Sequence, residues 1–86
     1  MDNENILQEA DRLTSSDRAK AYGPVKDNFE RIAGMWTAYT GHQFKARDVA
    51  MMMIMVKISR DTFKPKRDNL TDIAGYARTG EMIDEQ

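Results

Sequence analysis

Five cations, Lys57, Arg60, Lys64, Lys66 and Arg67, fall within eleven residues of a chain whose formal charge is −1. On a helix Met53, Lys57, Arg60 and Lys64 step by four, three and four and so share one face. Only Asp61 opposes them within the stretch. Such a stripe sets up a local positive field suited to an anion or a phosphate. The competing account is structural: Lys57 lies along the helix and pairs with Asp61 at i+4, while the others meet the C-terminal dipole. The sequence leaves both accounts open.

A second group runs from Arg18 through Lys20, Tyr22, Gly23, Pro24 and Lys26 to Phe29. It brings cations, an aromatic ring, a turn and a fresh helix start together, which suits a stacked base and a phosphate held by backbone N–H groups and Lys26. The plain alternative is a packed Tyr22 at a tight turn with surface lysines. A third group is acidic. Asp68 and Asp72 are one helical turn apart, and Asp27, Glu30 and Asp48 are placed to approach from other helices. Converging carboxylates would hold Mg²⁺, but capping and ordinary ion pairs account for the same residues. His42 is the only histidine and there is no cysteine. No serine sits in a Gly-x-Ser-x-Gly setting. No catalytic residue, metal-ligand set or cofactor is therefore assigned.

At 86 residues the chain is a single domain (1–86), divided as an N-terminal helix and link (1–16), a core (17–81) and a frayed tail (82–86). A domain of this size is marginal unless stapled or oligomeric, and without cysteine the remaining route is assembly. The charge of −1 and pI near 5.7 argue against general DNA binding. No apolar run reaches the roughly 18 residues of a membrane span, and the N-terminus lacks an apolar signal core. A location in the cytoplasm is expected, the host's if the chain is phage-encoded.

The groups must be positioned by helices. Ile6, Leu7, Ala10 and Leu13 form one stripe of a short first helix. Val25, Phe29, Ile32, Ala33, Trp36 and Tyr39 recur at helical spacing from Pro24 to about residue 40, where Gly41 suits a left-handed end. Gly34, inside this helix, predicts a close approach by another helix. Phe44 folds back onto the core. The central helix runs from about Ala46 to Phe63 and Pro65 ends it. Its run from Val49 to Val56 is apolar on every side, and such a helix is normally buried on every side. Met51, Met52, Met53 and Met55 therefore predict contact with a second chain or with the short first helix. Asp68 or Asn69 caps the last helix, with Leu70, Ile73, Ala74 and Ala77 as its apolar stripe. No segment alternates with period two, so the fold class is all-α: a compact bundle of one short and three longer helices, assembled as a homo-oligomer.

In order along the chain come Arg18-x-x-x-Tyr22-Gly23, Phe29-x-x-Ile32 and Thr40-Gly41. Asp48 then leads into Met52-x-x-x-x-Lys57-x-x-Arg60, followed by Asp68-Asn69-x-x-Asp72-x-x-Gly75-Tyr76. This pattern resembles short helical proteins of tailed phages and is similar to the phage anti-CBASS sponge family over about residues 17 to 81. That resemblance implies an all-helical hexamer that sequesters cyclic di- or oligonucleotide signals without cleaving them. It also implies pockets between protomers, with an aromatic ring on the bases and Lys or Arg on the phosphates. Position and chemistry make Tyr22, Lys26, Lys57, Arg60 and Arg78 the candidates for those roles. The helical nucleoside-triphosphate pyrophosphohydrolases are the rival resemblance. Their Glu-Glu-x-x-Glu helix is absent, with methionines in its place.

The functional expectation is therefore non-enzymatic sequestration of a small anionic ligand, a cyclic nucleotide immune signal, by a dimer or hexamer. The alternatives are a Mg²⁺-dependent nucleotide hydrolase on Asp48, Asp68 and Asp72, and a module that binds a host or phage protein.

Overall fold

A computed structural model describes residues 3–15 and 23–86. Among these the chain forms four helices and no strand: α1 (Ile6–Ser15), α2 (Val25–Thr40), α3 (Ala46–Phe63) and α4 (Arg67–Glu85). The expected all-α class and the bounds of the central helix agree with this. Any helical turn at residues 16–20 lies outside the described residues.

Local chemistry explains most helix ends. Asn5 and Gln8 cap α1 reciprocally, each accepting the other's backbone N–H at 2.9 Å. Gly41 takes φ 78°, where a Cβ would be strained, and its N–H reaches the Thr37 carbonyl. Lys64 is extended ahead of Pro65, as proline demands. The start of α4 departs from expectation, because Lys66 occupies the N-cap position in place of Asp68 or Asn69. Asn69 is buried and donates to Asp61 at 3.2 Å, and the Lys66 N–H donates to the same carboxylate oxygen at 3.0 Å. Asp61 thus fixes the α3–α4 turn, which takes it away from Lys57.

The hairpin of α3 and α4 is the spine, α2 packs mainly on α3, and α1 packs on α4 alone among the described helices. The core gathers Phe29, Ala33, Ala46, Val49, Ala50 and Ile83, with Trp36 and Phe44 edge-to-face at 5.8 Å beside it. Phe44 does fold back, its N–H held by the Thr37 hydroxyl at 3.0 Å. Close helix approach occurs at Gly80, not Gly34. A Cβ on Gly80 would lie 3.2 Å from the Met51 Sδ-methyl carbon and 3.9 Å from the Ala50 Cβ, whereas nothing lies within 4 Å of one on Gly34.

Three further expectations change. The last helix buries Asn69, Thr71, Thr79, Gly80 and Ile83, while Leu70 and Ala77 of the expected stripe are exposed. Helices α1 and α3 flank α4 on other sides, and Thr71 and Thr79 become buriable by donating to their own i−4 carbonyls. The tail beyond residue 81 is helical through Glu85, because Ile83 is a core residue and Lys26 holds Gln86. The bundle is also less compact than expected. It measures 46 × 32 × 20 Å with a radius of gyration of 13.7 Å, against about 12 Å for a compact chain of this length.

Ion pairs dock α1. Arg12 grips Glu4 at 2.9 and 3.1 Å, and Arg67 of α4 pairs with Glu9 and donates to the Glu4 carbonyl at 2.9 Å. The Arg12 hydrogen bond holds the Glu4 carboxyl below its ordinary pKa. A depressed carboxylate contributes stability that is complete above its unfolded pKa and lost as pH falls through the lower folded value. Acidification is therefore expected to loosen α1 first. Amide exchange, corrected for intrinsic rates, should show α1 losing protection relative to α4 as pH falls below the ordinary glutamate value of 4.5 and not between there and neutrality. Equal losses in both helices would count against this.

Candidate functional site

Of the five expected ligand residues, the four that are described do not come together. Tyr22 lies outside the described residues. Lys57 is largely buried, with its side chain 15% exposed, and pairs with Asp72 at 2.9 Å. Its partner is therefore Asp72 and not the expected Asp61. Arg78 is engaged with Glu81 at 2.8 Å and Glu85 at 3.6 Å on its own helix. Arg60, Lys64 and Lys66 are exposed, and their side chains have no ion pair among the described residues. Arg67, the fifth cation of the stripe, is committed to α1. Of the four that are described, Lys26 borders a cleft.

The carboxylates do not converge either. Asp48 caps α3 by accepting the Lys45 N–H at 2.8 Å. Asp72 faces Lys57, nine residues further along α3, or about 13 Å along the axis. Among the described residues no group of three or more His, Asp or Glu is placed to hold a metal ion. None of the helices described there is long and apolar enough to cross a membrane.

Two cavities stand out among the described residues. One, of about 290 Å³, lies between α1 and α4 against Leu13, Thr14, Asp72 and Tyr76. The larger, of about 680 Å³, is a cleft between α2, the α2–α3 connection and the end of α4. Its α2 wall is one helical stripe, Lys26, Glu30, Ala33, Gly34 and Thr37. The small side chains of Ala33, Gly34 and Ala46 make the room. Gln43, Phe44, Lys45 and Arg47 supply the opposite rim, and Ile83 and Asp84 close the end.

The cleft has an excess of positive charge. Lys26 donates its ammonium to the Gln86 carbonyl at 2.8 Å, joining the start of α2 to the end of α4. Arg47 meets Asp84 at 3.2 Å, with both side chains more than half exposed, so this pair is weak. Lys45 is exposed, with no ion pair for its ammonium among the described residues. Glu30 is the remaining carboxylate. Three cations thus stand against two acids, one of them already paired.

Lys45 and Arg47 straddle the first residue of α3, the positive end of the helix dipole. Cations there are opposed by the dipole, while Asp48 in the same turn already supplies one of the negative charges that the first-turn N–H groups favour. This misplaced charge was readable in the sequence as two cations at a helix start.

Against known proteins, a family model described as a domain of unknown function (DUF6378) matches residues 5–84. The Gene 55 protein of Mycobacterium phage L5 is 45% identical over 81 residues, covering 92% of this chain and 52% of that protein. The Gene 55 protein of Mycobacterium phage D29 is 42% identical over 84 residues, covering 96% and 56%. The chain thus spans about half the length of these curated relatives. No solved structure matches it. The resemblance to phage proteins holds at the level of these relatives, and nothing in these matches ties the chain to the cyclic-nucleotide sponges. With the family model taking in all but the first four and last two residues, the chain belongs to the DUF6378 family.

Proposed function

We propose that this chain binds a small anionic ligand of the nucleotide class, cyclic di- or oligonucleotides included, without turning it over, and that it works as a homo-oligomer. The ligand half rests on one observation: Lys45 and Arg47 stand against the dipole at the start of α3, beside Lys26, on a cleft of about 680 Å³. That volume falls within the roughly 300–1,000 Å³ of small-molecule sites. A phosphate at this helix start turns an unfavourable arrangement of cations into a favourable one. Gln43 and Thr37 offer hydrogen bonds to a base, and Phe44 an apolar edge.

Titration with a cyclic dinucleotide in the absence of Mg²⁺ tests this reading. A rise in melting temperature is expected, with affinity at least about tenfold weaker in Lys45→Glu/Arg47→Glu, as loss of charge-assisted contacts implies. Arg60→Glu, away from the cleft, is expected to bind like the parent. No shift with any nucleotide defeats the ligand half. Mg²⁺-dependent turnover lost in Asp72→Asn would establish the hydrolase alternative in its place.

A further inference from the structure

Gly34 stands inside α2, where glycine is destabilising relative to alanine. Helix packing does not call for it, because nothing lies within 4 Å of the position its Cβ would take. The open space there is the larger cleft. Its α2 wall carries Glu30 one turn before Gly34 and Thr37 about one turn after it, all on one face. A glycine in such a place lets a ligand come up against the helix backbone.

Both flanking side chains are uncommitted. Glu30 is exposed, and its carboxylate has no ion pair or hydrogen bond among the described residues. Lys26, the partner that an i,i+4 pairing would give it, donates its ammonium to the Gln86 carbonyl instead. Asp84, the other acid of the cleft, has Arg47. Thr37 accepts the Phe44 N–H at 3.0 Å, but its own hydroxyl hydrogen has no acceptor among the described residues. Thr40, Thr71 and Thr79 donate theirs to the carbonyl four residues back. Phosphate and the Glu30 carboxylate repel one another, so Glu30 stands where the uncharged part of a nucleotide goes.

We propose that Gly34 is the floor of a purine subsite in this cleft, with the ring flat on α2 and Glu30 selecting guanine over adenine. Guanine offers two adjacent donors, N1–H and the N2 amino group, to a carboxylate that only accepts. Its O6 and N7 are acceptors for the Thr37 hydroxyl. Adenine sets the lone pair of its N1 against the carboxylate. From Glu30 to Thr37 is about 10 Å along the helix axis, long enough for a bicyclic base between the two side chains. This inference rests on the ligand half of the proposed function and adds the base to it.

Calorimetric titration of the whole chain with cyclic di-GMP and cyclic di-AMP, without Mg²⁺, tests it. Cyclic di-GMP is expected to bind at least about tenfold tighter. Glu30→Gln is expected to bring the two within about threefold of each other at an unchanged melting temperature. Gly34→Leu is expected to weaken cyclic di-GMP at least about tenfold, while Gly34→Ala raises the melting temperature, since it improves the helix without a clash. Equal affinities in the parent chain, or a guanine preference that survives Glu30→Gln, overturn the role of Glu30 and leave the ligand half standing. Undiminished binding by a folded Gly34→Leu variant overturns the floor. Binding of neither ligand overturns the subsite, and failure of every other nucleotide as well takes the ligand half with it.

Discussion

Phe29→Ala is expected to cost about 3–5 kcal/mol, the range for removing a buried phenylalanine ring. Phe29 is 2% exposed, and it and Val49 are the two largest fully buried side chains. The rest of the buried core is largely alanine: Ala33, Ala46 and Ala50. Alanine cores bring backbones close, and the longer side chains packed on this one, Met51, Met53 and Tyr76 among them, are only partly buried. The Tyr76 ring centroid lies 6.5 Å from that of Phe29 at a 47° tilt. A domain of 86 residues has roughly 4–13 kcal/mol in total. The loss is then about a quarter of the stability or more, and the variant is expected to unfold early in urea or fail to fold at ambient temperature. Phe29→Leu, which keeps most of the volume, should cost about 1–1.5 kcal/mol. A loss below 1 kcal/mol for the alanine variant would mean that the centre of the core lies elsewhere.

The periodicity made the helices readable because short-range rules set their ends: a proline, a left-handed glycine and a stripe every three to four residues. Pairing between helices was not readable in the same way. Lys57 has Asp61 one turn away on its own helix, so a local rule pairs them. The hairpin instead brings Asp72 opposite, and Asp61 is taken by Lys66 and Asn69. Burial of Thr71 and Thr79 was hidden for a related reason, since threonine reads as polar until its hydroxyl is satisfied by its own helix. The candidate cleft was the least legible part. Of its cations only Lys26 belongs to a group readable along the chain, because a site formed by a helix start, a connection and the end of α4 has no linear spacing. Its one sequence signal was electrostatic: Lys45 and Arg47 at the end of a helix where cations are disfavoured.

The pair of Lys57 and Asp72 gives the second large effect, and it is expected to be asymmetric. Asp72→Ala should cost about 1–3 kcal/mol, because it leaves a largely buried ammonium without its partner. Lys57→Met should cost less than about 1 kcal/mol. The thioether keeps the stem's volume, and Asp72, whose side chain is 40% exposed, turns to water. The double variant Lys57→Met/Asp72→Ala should recover most of the loss, since no charge is then stranded. Urea denaturation of the four proteins closes a double-mutant cycle with an expected coupling of about 1–2 kcal/mol. Coupling to Asp61 in place of Asp72 would mean that the local i,i+4 pair prevails in solution. The sign of the Asp72 effect carries further. A carboxylate kept for chemistry is commonly held at a cost, and its removal stabilises the fold. Destabilisation by Asp72→Ala that disappears in the Lys57→Met background makes Asp72 the structural counter-ion of the α3–α4 hairpin. Stabilisation would return the residue to the hydrolase alternative, with the neighbouring cavity as its site.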